Sequence, residues 1–310
     1  MNIIKATKIW LGVSSVLVVL SLVCIFTFRY HLGIDFSGGT ALEVEVGNAS
    51  TYQLPADTSV SQYLIATYRA STGQEAVAQV AGSSERWILR SKSITNEQKN
   101  AWLSSARAGL PNLSELQFSS VSPTIGSEVV RKAILAIIVA MLAILLYLAY
   151  AFRKVPRPTN SWRFGATAVI ALLAHDVIIL LGVYALLSHF FGAEVDNMFI
   201  TALLTLLGFS VHDTIVTYDR LRENLIKRGA VHFEQTVNDS IVETITRSIN
   251  TTFTLVLVLL AMTLMGGRTT FFFTLSLLIG VILGTYSSIF IASPLLLMWQ
   301  NAVERKKVVQ

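Results

Sequence analysis

Charged side chains are scarce in this sequence of 310 residues, and their scarcity excludes most classes of soluble protein. Asp, Glu, Lys and Arg make up 14% of the chain, against roughly 25% in ordinary soluble proteins, whereas apolar residues make up 53%. A soluble fold of this length cannot enclose so much apolar side chain. The composition therefore excludes a soluble globular protein and a disordered chain, and it predicts an integral membrane protein.

Cysteine is almost absent as well. The single cysteine, Cys24, lies in an apolar run, so neither an internal disulfide nor a cysteine-based metal site can form. The sequence also has no zinc motif, nucleophile elbow or nucleotide-binding loop. The Gly-rich step Phe36–Gly39 has no Walker lysine, and we interpret it as a turn that enters a sheet. We therefore expect a protein that is not an enzyme and that holds no cofactor or metal.

Long apolar runs are what the chain does contain. A helix that crosses a bilayer needs about 20 mostly apolar residues, and six segments qualify. The segments are Ile9–Phe28, Ala133–Phe152, Gly165–Phe190, Met198–Tyr218, Val242–Met265 and Phe271–Met298. The first is too long for a cleaved signal peptide and has no cleavage site, so we interpret it as an uncleaved signal anchor.

Positive charges are distributed unevenly around these segments. If the N-terminus is cytoplasmic, thirteen Lys and Arg residues fall on the cytoplasmic side, whereas the two short external turns contain only Arg268. The thirteen are Lys5, Lys8, Arg153, Lys154, Arg157, Arg163, Arg220, Arg222, Lys227, Arg228, Arg305, Lys306 and Lys307. Such an imbalance predicts that both termini are cytoplasmic. The net charge of +5 is then a signal of orientation and gives no reason to expect nucleic-acid binding.

A stretch with the composition of a soluble protein lies between the first two apolar segments. Its pattern predicts strands and helices in the order β-α-β-β-α-β, which is the ferredoxin-like arrangement. The predicted elements are strand Thr40–Val46, helix Ser59–Ala70, strands Ala76–Val80 and Trp87–Arg90, helix Thr95–Ala108 and strand Leu113–Val121. Gly82–Ser84 is a plausible hairpin turn, and Thr95 with Gln98 predicts a capping box.

The predicted fold is a polytopic α-helical membrane protein with six transmembrane helices and one external α+β domain. Residues 1–28 hold the cytoplasmic N-terminus and the first helix, and residues 29–132 form the external domain. Residues 133–298 contain transmembrane helices two to six with a cytoplasmic loop at 219–241, and residues 299–310 form a cytoplasmic tail. The pattern of residues 231–245, which begin in that loop, predicts an amphipathic helix on the inner membrane face.

Two ionisable residues inside the apolar segments are the main functional candidates, because each costs roughly 2.5–3.5 kcal/mol at the centre of a membrane helix. Asp213 in the fourth segment and Arg247 in the fifth lie at similar depth from the loop that joins them, so we expect them to pair. The residues alone leave two interpretations open, namely that the pair holds two helices together or that Asp213 exchanges protons beside a fixed cation. The polar residues expected to line the pair are Ser210 and Thr217 on one helix and Asn250, Thr251 and Thr254 on the other.

Other polar residues in the segments carry weaker signals. Adjacent helical residues point about 100° apart, so we expect only one of His175 and Asp176 to face the bundle, and we favour a structural hydrogen bond over proton transfer. His212 lies off the face of Asp213, and we assign it no chemistry. Small residues at every fourth position from Ser276 to Ala292 predict a face that packs closely against another helix.

Four motifs resemble the SecD/SecF protein-export family. Gly33–Thr40 is similar to the family signature GxDFxGGT, and Val121–Glu128 is similar to its VxPxxGxE motif. Gly208–Val216, continuing into Asp219–Asn224, and Gly284–Ser288 are similar to the SecF branch as distinct from the SecD branch. One position departs, since His212 stands where the SecF branch commonly has Asn, and this affects only the hydrogen bonding next to Asp213.

The resemblance implies a function and a set of partners. It implies an accessory subunit of the Sec translocon in the bacterial inner membrane, related to the resistance-nodulation-division transporters, that uses proton flow to help draw preproteins out of the channel. The implied partners are SecD, the SecYEG translocon, the accessory protein YajC, unfolded preprotein, protons and the lipid bilayer. Carried over by motif, Asp213 and Arg247 are the proton-coupling residues.

Two rival functions stay open at this point. One is half of a transporter that exports a lipid or a drug, although about a hundred external residues leave little room for a small-molecule pocket. The other is a passive scaffold that holds its partners together. Three tyrosines of the external stretch, Tyr52, Tyr63 and Tyr68, either contact unfolded chain or belong to the core.

Overall fold

Two compact units make up the chain, one formed by Met1–His31 together with Ile134–Gln310 and the other by Leu32–Ala133. The structure is a computed structural model. It describes residues 2–48, 52–55, 58–80, 85–156, 159–229 and 232–308, without the side chains of residues 268 and 306–308.

Within the described residues, six helices are long and apolar enough to cross a membrane. We call them spans one to six: Ile4–Thr27, Pro123–Ala151, Ser161–Phe191, Asn197–Arg228, Phe233–Met265 and Thr269–Arg305. Each contains all or most of one apolar segment of the sequence, so the predicted number and order of the spans are confirmed.

Spans three and six are each interrupted by a turn of π-helix, a rare geometry that is frequent at functional sites. Span three consists of helix Ser161–Ala171, the π-helical turn Leu172–Val177 and helix Ile178–Phe191. Span six consists of helix Arg268–Ser287, the π-helical turn Ser288–Ala292 and helix Ser293–Val308. The remaining short elements are the 3-10 turn Ile4–Ala6 before helix Thr7–Thr27, the helix Ile34–Ser37 and the two-residue strands His31–Leu32 and Glu194–Val195.

Spans four and five extend well beyond their apolar segments. Most of the loop predicted at 219–241 is helical, because span four continues to Arg228 and the helix of span five begins at Phe233. Ion pairs join the two extensions: Arg220 binds Glu243, and Arg228 Nη1 lies 2.6 Å from Asp239 Oδ2. Within span four, Glu223 also pairs with Arg220 and Lys227, and such pairs three or four residues apart stabilise a helix in polar sequence.

The separate amphipathic helix predicted at 231–245 is wrong, although residue 231 itself lies outside the described residues. Val237 and Ile241, its supposed membrane-facing residues, are buried in the core of the helical unit. Their side chains follow the same spacing on a surface helix and on a buried one, so periodicity could not separate the two cases.

The small residues of span six pack against span four, which confirms the predicted face. A Cβ atom added to Gly284 would lie 2.9 Å from Ser210 Cβ, and one added to Gly280 would lie 3.1 Å from a methyl group of Leu206. The absence of a side chain at these positions lets the two helices approach closely.

The second unit contains a four-stranded sheet in the order Ala76–Val80, Arg86–Ser91, Gly39–Glu45, Ser114–Val121. All neighbouring strands are antiparallel, and Leu42 in the central strand faces Leu89 on one side and Phe118 on the other. Helices Val60–Thr72 and Asn96–Ala106 complete the unit. The predicted strands and helices are confirmed to within a few residues, whereas the hairpin turn Gly82–Ser84 lies outside the described residues.

Alternation along the central strand places Leu42 and Val44 in the core of this unit, beneath Leu64, Tyr68 and Trp102 of the helices. Tyr68 therefore belongs to the core, and its hydroxyl lies 2.6 Å from Ser91 Oγ. Burial raises the pKa of that hydroxyl.

The two helices of this unit have capped N-termini, and the two remaining tyrosines contact its core. Capping boxes start both helices, and the one formed by Thr95 and Gln98 is confirmed. The other is formed by Ser59 and Gln62. Tyr52 and Tyr63 are half-buried and pack against the core.

Two sequence motifs meet at the entry to the sheet. Gly38 has a φ of 69°, and a Cβ atom there would lie 2.7 Å from Cα of Pro123. A Cβ atom at Gly126 would lie 2.7 Å from the carbonyl oxygen of Phe36. The glycines of Gly33–Thr40 and Val121–Glu128 are therefore explained by close backbone packing, and the predicted turn into a sheet is confirmed.

Candidate functional site

Asp213 is a buried acid in span four, with 2% of its surface exposed. Its Oδ2 accepts a hydrogen bond of 3.2 Å from the hydroxyl of Thr285 in span six. The hydroxyl of Thr252 in span five lies 2.5 Å from that of Thr285. The carboxyl group is thus linked through hydroxyls to two other spans.

The predicted pair between Asp213 and Arg247 does not form. Both residues are described by the structure, and no ion pair joins them there. Arg247 is exposed on the outer side of span five, whereas the next residue, Ser248, is buried beside Asp213. Matched depth from a loop fixes the height of two residues but not their rotation about the helix axes, and neighbouring helical positions point about 100° apart.

The polar residues predicted to support the pair lie in different environments. Ser210 is buried, but its hydroxyl donates to Asp176 Oδ2 at 2.5 Å and not to Asp213. Thr217 is buried, donates to the backbone carbonyl of Asp213 at 3.4 Å and lies 3.3 Å from Thr244 Oγ1. Asn250 is exposed.

The stripe that includes Arg247 faces outward as a whole. Its members Arg247, Asn250, Thr251 and Thr254 are all exposed on this chain, and we call them the outer polar stripe. His212, beside Asp213, is exposed too, as expected from its position off that face.

A different set of residues on span five faces the interior, and the sequence analysis missed it. Five hydroxyl residues recur at every fourth position, which keeps them on one helical face. They are Thr236, Ser240, Thr244, Ser248 and Thr252. The first four are buried, and their recurrence at spacing four is the sequence signal that could have found them.

A second buried acid lies in span three. Asp176 Oδ1 is 2.8 Å from His175 Nδ1, and Oδ2 accepts from Ser210 at 2.5 Å and from Ser287 at 2.8 Å. Both His175 and Asp176 are buried, so the expectation that only one faces the bundle is wrong. The π-helical turn Leu172–Val177, which the sequence did not predict, contains both residues.

No group of three or more His, Cys, Asp or Glu side chains in the described part of the chain is placed to hold a metal ion. The buried polar groups of the helical unit include acids, a histidine and hydroxyls, which form hydrogen bonds with one another.

Comparison with known proteins decides the family. A model described as "Protein export membrane protein SecD/SecF, C-terminal" matches residues 103–302. The protein translocase subunit SecF of Thermobaculum terrenum is 40% identical over 294 residues, which cover 93% of this chain and 90% of that protein. SecF of Anaerolinea thermophila is 37% identical over 303 residues, with 97% and 94% covered. The chain belongs to the SecF family.

Solved structures of SecDF have a similar fold. SecDF from Thermus thermophilus, described as a translocon-associated membrane protein, has 29% sequence identity and a TM-score of 0.76. That match covers 97% of this chain and 39% of the SecDF chain. SecDF in a super-membrane-facing form has 29% identity and a TM-score of 0.69, with 100% and 40% covered. The SecF-family chain spans about two fifths of the SecDF chains, and with its six apolar helices it is a multi-pass membrane protein.

Proposed function

We propose that this chain is the SecF subunit of a protein-export complex and that Asp213 carries the protons that drive it. The observation that supports this proposal is an acid buried within a membrane span, bonded to a hydroxyl and without an ion pair in the described part of the chain. An ionisable group within a membrane span has an unfavourable free energy of insertion, so it is expected to serve a function. The names of the SecF relatives give that function its context, which is protein translocation.

A second membrane subunit is proposed to cover the outer polar stripe. Arg247 and its polar neighbours are exposed on this chain, and contact of charged or polar side chains with lipid is unfavourable, with a cost that reaches roughly 2.5–3.5 kcal/mol for an arginine at the bilayer centre. About three fifths of each SecDF chain lies outside the part that this chain matches. We therefore propose SecD as the partner whose helices lie against span five, with Arg247 in the interface between the two subunits.

The energy available from protons is sufficient for this task. One charge that moves down a potential of 100 mV releases about 2.3 kcal/mol. Because 1.4 kcal/mol is a factor of ten in an equilibrium constant, one proton biases a two-state movement by roughly fifty-fold. That bias is large enough to rectify the diffusion of an unfolded preprotein.

The contacts of Asp213 suggest how protonation is transmitted. A charged carboxylate holds the hydroxyl of Thr285 more tightly than a neutral acid does. Thr285 in turn lies against Thr252, so a change of charge at Asp213 alters hydrogen bonds among spans four, five and six. We propose that these spans repack in each cycle.

We also propose how the chain is placed in the membrane and which further partners it has. We propose that Leu32–Ala133 is an external, ferredoxin-like domain, supported by its strand order and its two helices. The thirteen-to-one distribution of Lys and Arg supports cytoplasmic termini in the inner membrane. SecYEG, the accessory protein YajC and unfolded preprotein are the further partners that we propose.

Replacement of Asp213 by Asn tests the proton-carrying role. In vesicles that contain the complete translocon, we expect Asp213→Asn to abolish the component of preprotein export that depends on an imposed proton gradient, while export driven by ATP alone continues. The matched control is Asp239→Asn, which removes a carboxylate of the same type from an ion pair at the ends of spans four and five. Gradient-dependent export that persists in Asp213→Asn contradicts the proposal.

A passive scaffold makes a different prediction for a double variant. Asp213 and Arg247 form no pair in the described part of the chain, so in a passive scaffold each only fills its own position, and neutralising both in Asp213→Asn/Arg247→Gln leaves export at the native level. If Asp213 carries protons, the double variant stays as inactive as Asp213→Asn alone. Gradient-dependent export in the same vesicles distinguishes the two functions.

A further inference from the structure

The His175–Asp176 dyad of span three is buried, titratable and unused in the function proposed above. Asp176 is 0% exposed and His175 is 2% exposed. Each oxygen of Asp176 faces a donor, since Oδ1 faces the imidazole and Oδ2 accepts from two hydroxyls. With Asp176 ionised, both of its oxygens accept hydrogen bonds, and these contacts stabilise the carboxylate.

Polar and aromatic side chains of the neighbouring spans surround the dyad. In the part of the chain that the structure describes, the dyad has no ion pair with Lys or Arg. Of the packed helices, span six contributes Ser287 and Tyr286, whose ring stacks on that of His175 with centroids 5.4 Å apart. Span four contributes Ser210 and, three residues further on, the acid Asp213.

The other side of Tyr286 is neutral as well. Span one contributes Trp10 and Ser14, which hydrogen-bond to the Tyr286 hydroxyl. A carboxylate without a counter-charge in an apolar interior is costly. His175 is the neighbour that can supply the positive charge.

The two nitrogens of the His175 ring have different roles. Nδ1 lies 2.8 Å from Oδ1 of Asp176, and beside an ionised Asp176 it is the ring nitrogen that donates, whether the ring is neutral or charged. Nε2 is buried and has no hydrogen-bond partner among the described residues. Nε2 is therefore the atom at which the charge of the dyad can change.

We propose that the His175–Asp176 dyad is a second proton-binding site within the spans, with His175 Nε2 as the atom that gains and loses the proton. When the lone pair of Nε2 binds a proton, imidazolium and carboxylate form a pair with no net charge. When the proton leaves from the same atom, the negative charge of Asp176 remains and is held by the hydroxyls of Ser210 and Ser287.

This site shares two helices with Asp213. On span four, Ser210 binds Asp176 and lies three residues before Asp213. On span six, Ser287 binds Asp176 and Thr285 binds Asp213. A change of charge at either acid therefore alters the hydrogen bonds of the same two helical segments, and such coupling is reciprocal. The coupling, unlike the binding site itself, rests on the proposed function.

Nitrogen NMR of the purified full-length chain in lipid bilayers tests the binding site without any measurement of export. The chain has five histidines, and His175→Gln assigns the signals of His175 among them. We expect the native Nε2 signal to change from unprotonated to protonated as the pH is lowered. In Asp176→Asn, the loss of the balancing carboxylate lowers the proton affinity of Nε2 by about tenfold or more.

Controls separate this result from a general loss of packing. Thr167→Val removes a buried hydroxyl that binds Tyr218 in the same unit, and we expect it to leave the His175 titration unchanged. Asp176→Glu retains a carboxylate and is expected to recover part of the lost affinity. A native Nε2 signal that does not titrate, or a titration that Asp176→Asn leaves unchanged, overturns the proposal.

One further variant separates the binding site from its coupling to export. We expect Asp213→Asn to shift the His175 titration by at least about twofold in proton affinity, because the two acids share helices. A titration that is unaffected overturns the coupling. If His175 titrates as expected but Asp213→Asn retains gradient-driven export, the proposed function fails and the second proton site stands.

Discussion

At the scale of single residues, Asp213 and Arg247 show what a membrane sequence can and cannot predict. The sequence identified both as costly, and their depth along the two helices was correct in the sense that Ser248, next to Arg247, lies beside Asp213. The direction in which each side chain points about its helix axis depends on which face of that helix a third helix covers. The sequence pattern of two adjacent spans does not contain that information. The stripe of hydroxyls at spacing four was the better indicator of the covered face, because polar residues buried in a membrane protein face other helices.

Gly284 provides a test of close packing at the residue scale. We expect Gly284→Ala to destabilise the helical unit by about 1–3 kcal/mol, because the new methyl group would lie 2.9 Å from Ser210 Cβ. The matched control is Gly208→Ala, since a Cβ atom there has nothing within 4 Å. Thermal unfolding of both variants in the same detergent checks the prediction, and equal apparent Tm values for the two contradict it.

At the scale of elements, regular secondary structure was predictable and its interruptions were not. The capping box of Thr95 and Gln98 and the alternation of Gly39–Glu45 follow from local rules, so those elements were found from the sequence. The two π-helical turns have no such signature, because an extra residue in a helical turn is stabilised by contacts with neighbouring helices. For the same reason the sequence predicted that only one member of the His175–Asp176 dyad faces the bundle, whereas both are buried.

The central strand of the second unit gives a prediction at the element scale. Leu42 is 0% exposed between two strands, so we expect Leu42→Ala to cost about 2–5 kcal/mol. Val77→Ala truncates a side chain that is 59% exposed on the edge strand Ala76–Val80, and we expect less than about 0.5 kcal/mol there. Hydrogen exchange of the full-length chain, read at the amides of Gly39–Glu45, measures both effects. Similar exchange in the two variants shows that Leu42 is not a core residue.

At the scale of the whole molecule, the exposed surface of the helical unit contains polar side chains as well as apolar ones. Spans one, two and five are mostly exposed along their length, and the outer polar stripe lies on span five. Apolar side chains there suit lipid, but Arg247 and Asn250 do not. The fold of the chain was largely predictable from its sequence, whereas the outward orientation of the outer polar stripe became visible only when the buried faces were known.

Cysteine labelling tests the proposed cover of the outer polar stripe. In a Cys24→Ala background, which removes the single native thiol, we expect Asn250→Cys to react with a membrane-permeant maleimide when the chain is expressed alone. Co-expression with SecD is expected to slow that reaction at least about tenfold, because a packed interface excludes the reagent.

The control position for this experiment lies on another span. Leu142→Cys, at an exposed apolar position of span two, is expected to react at the same rate with and without SecD. Equal protection at both positions, or none at either, contradicts an interface specific to span five.

The π-helical turn Ser288–Ala292 also has a mechanical consequence. An α-helix advances about 100° for each residue, so a turn that contains one extra residue sets the segment after it at a different angle from the segment before it. If that extra residue slips into the regular winding, Ser293–Val308 swivels by about that angle and slides about 1.5 Å along its own axis, while Arg268–Ser287 stays in place. The π-helical turn thereby allows one half of the last span to rotate about the helix axis relative to the other half, without a bend in the helix.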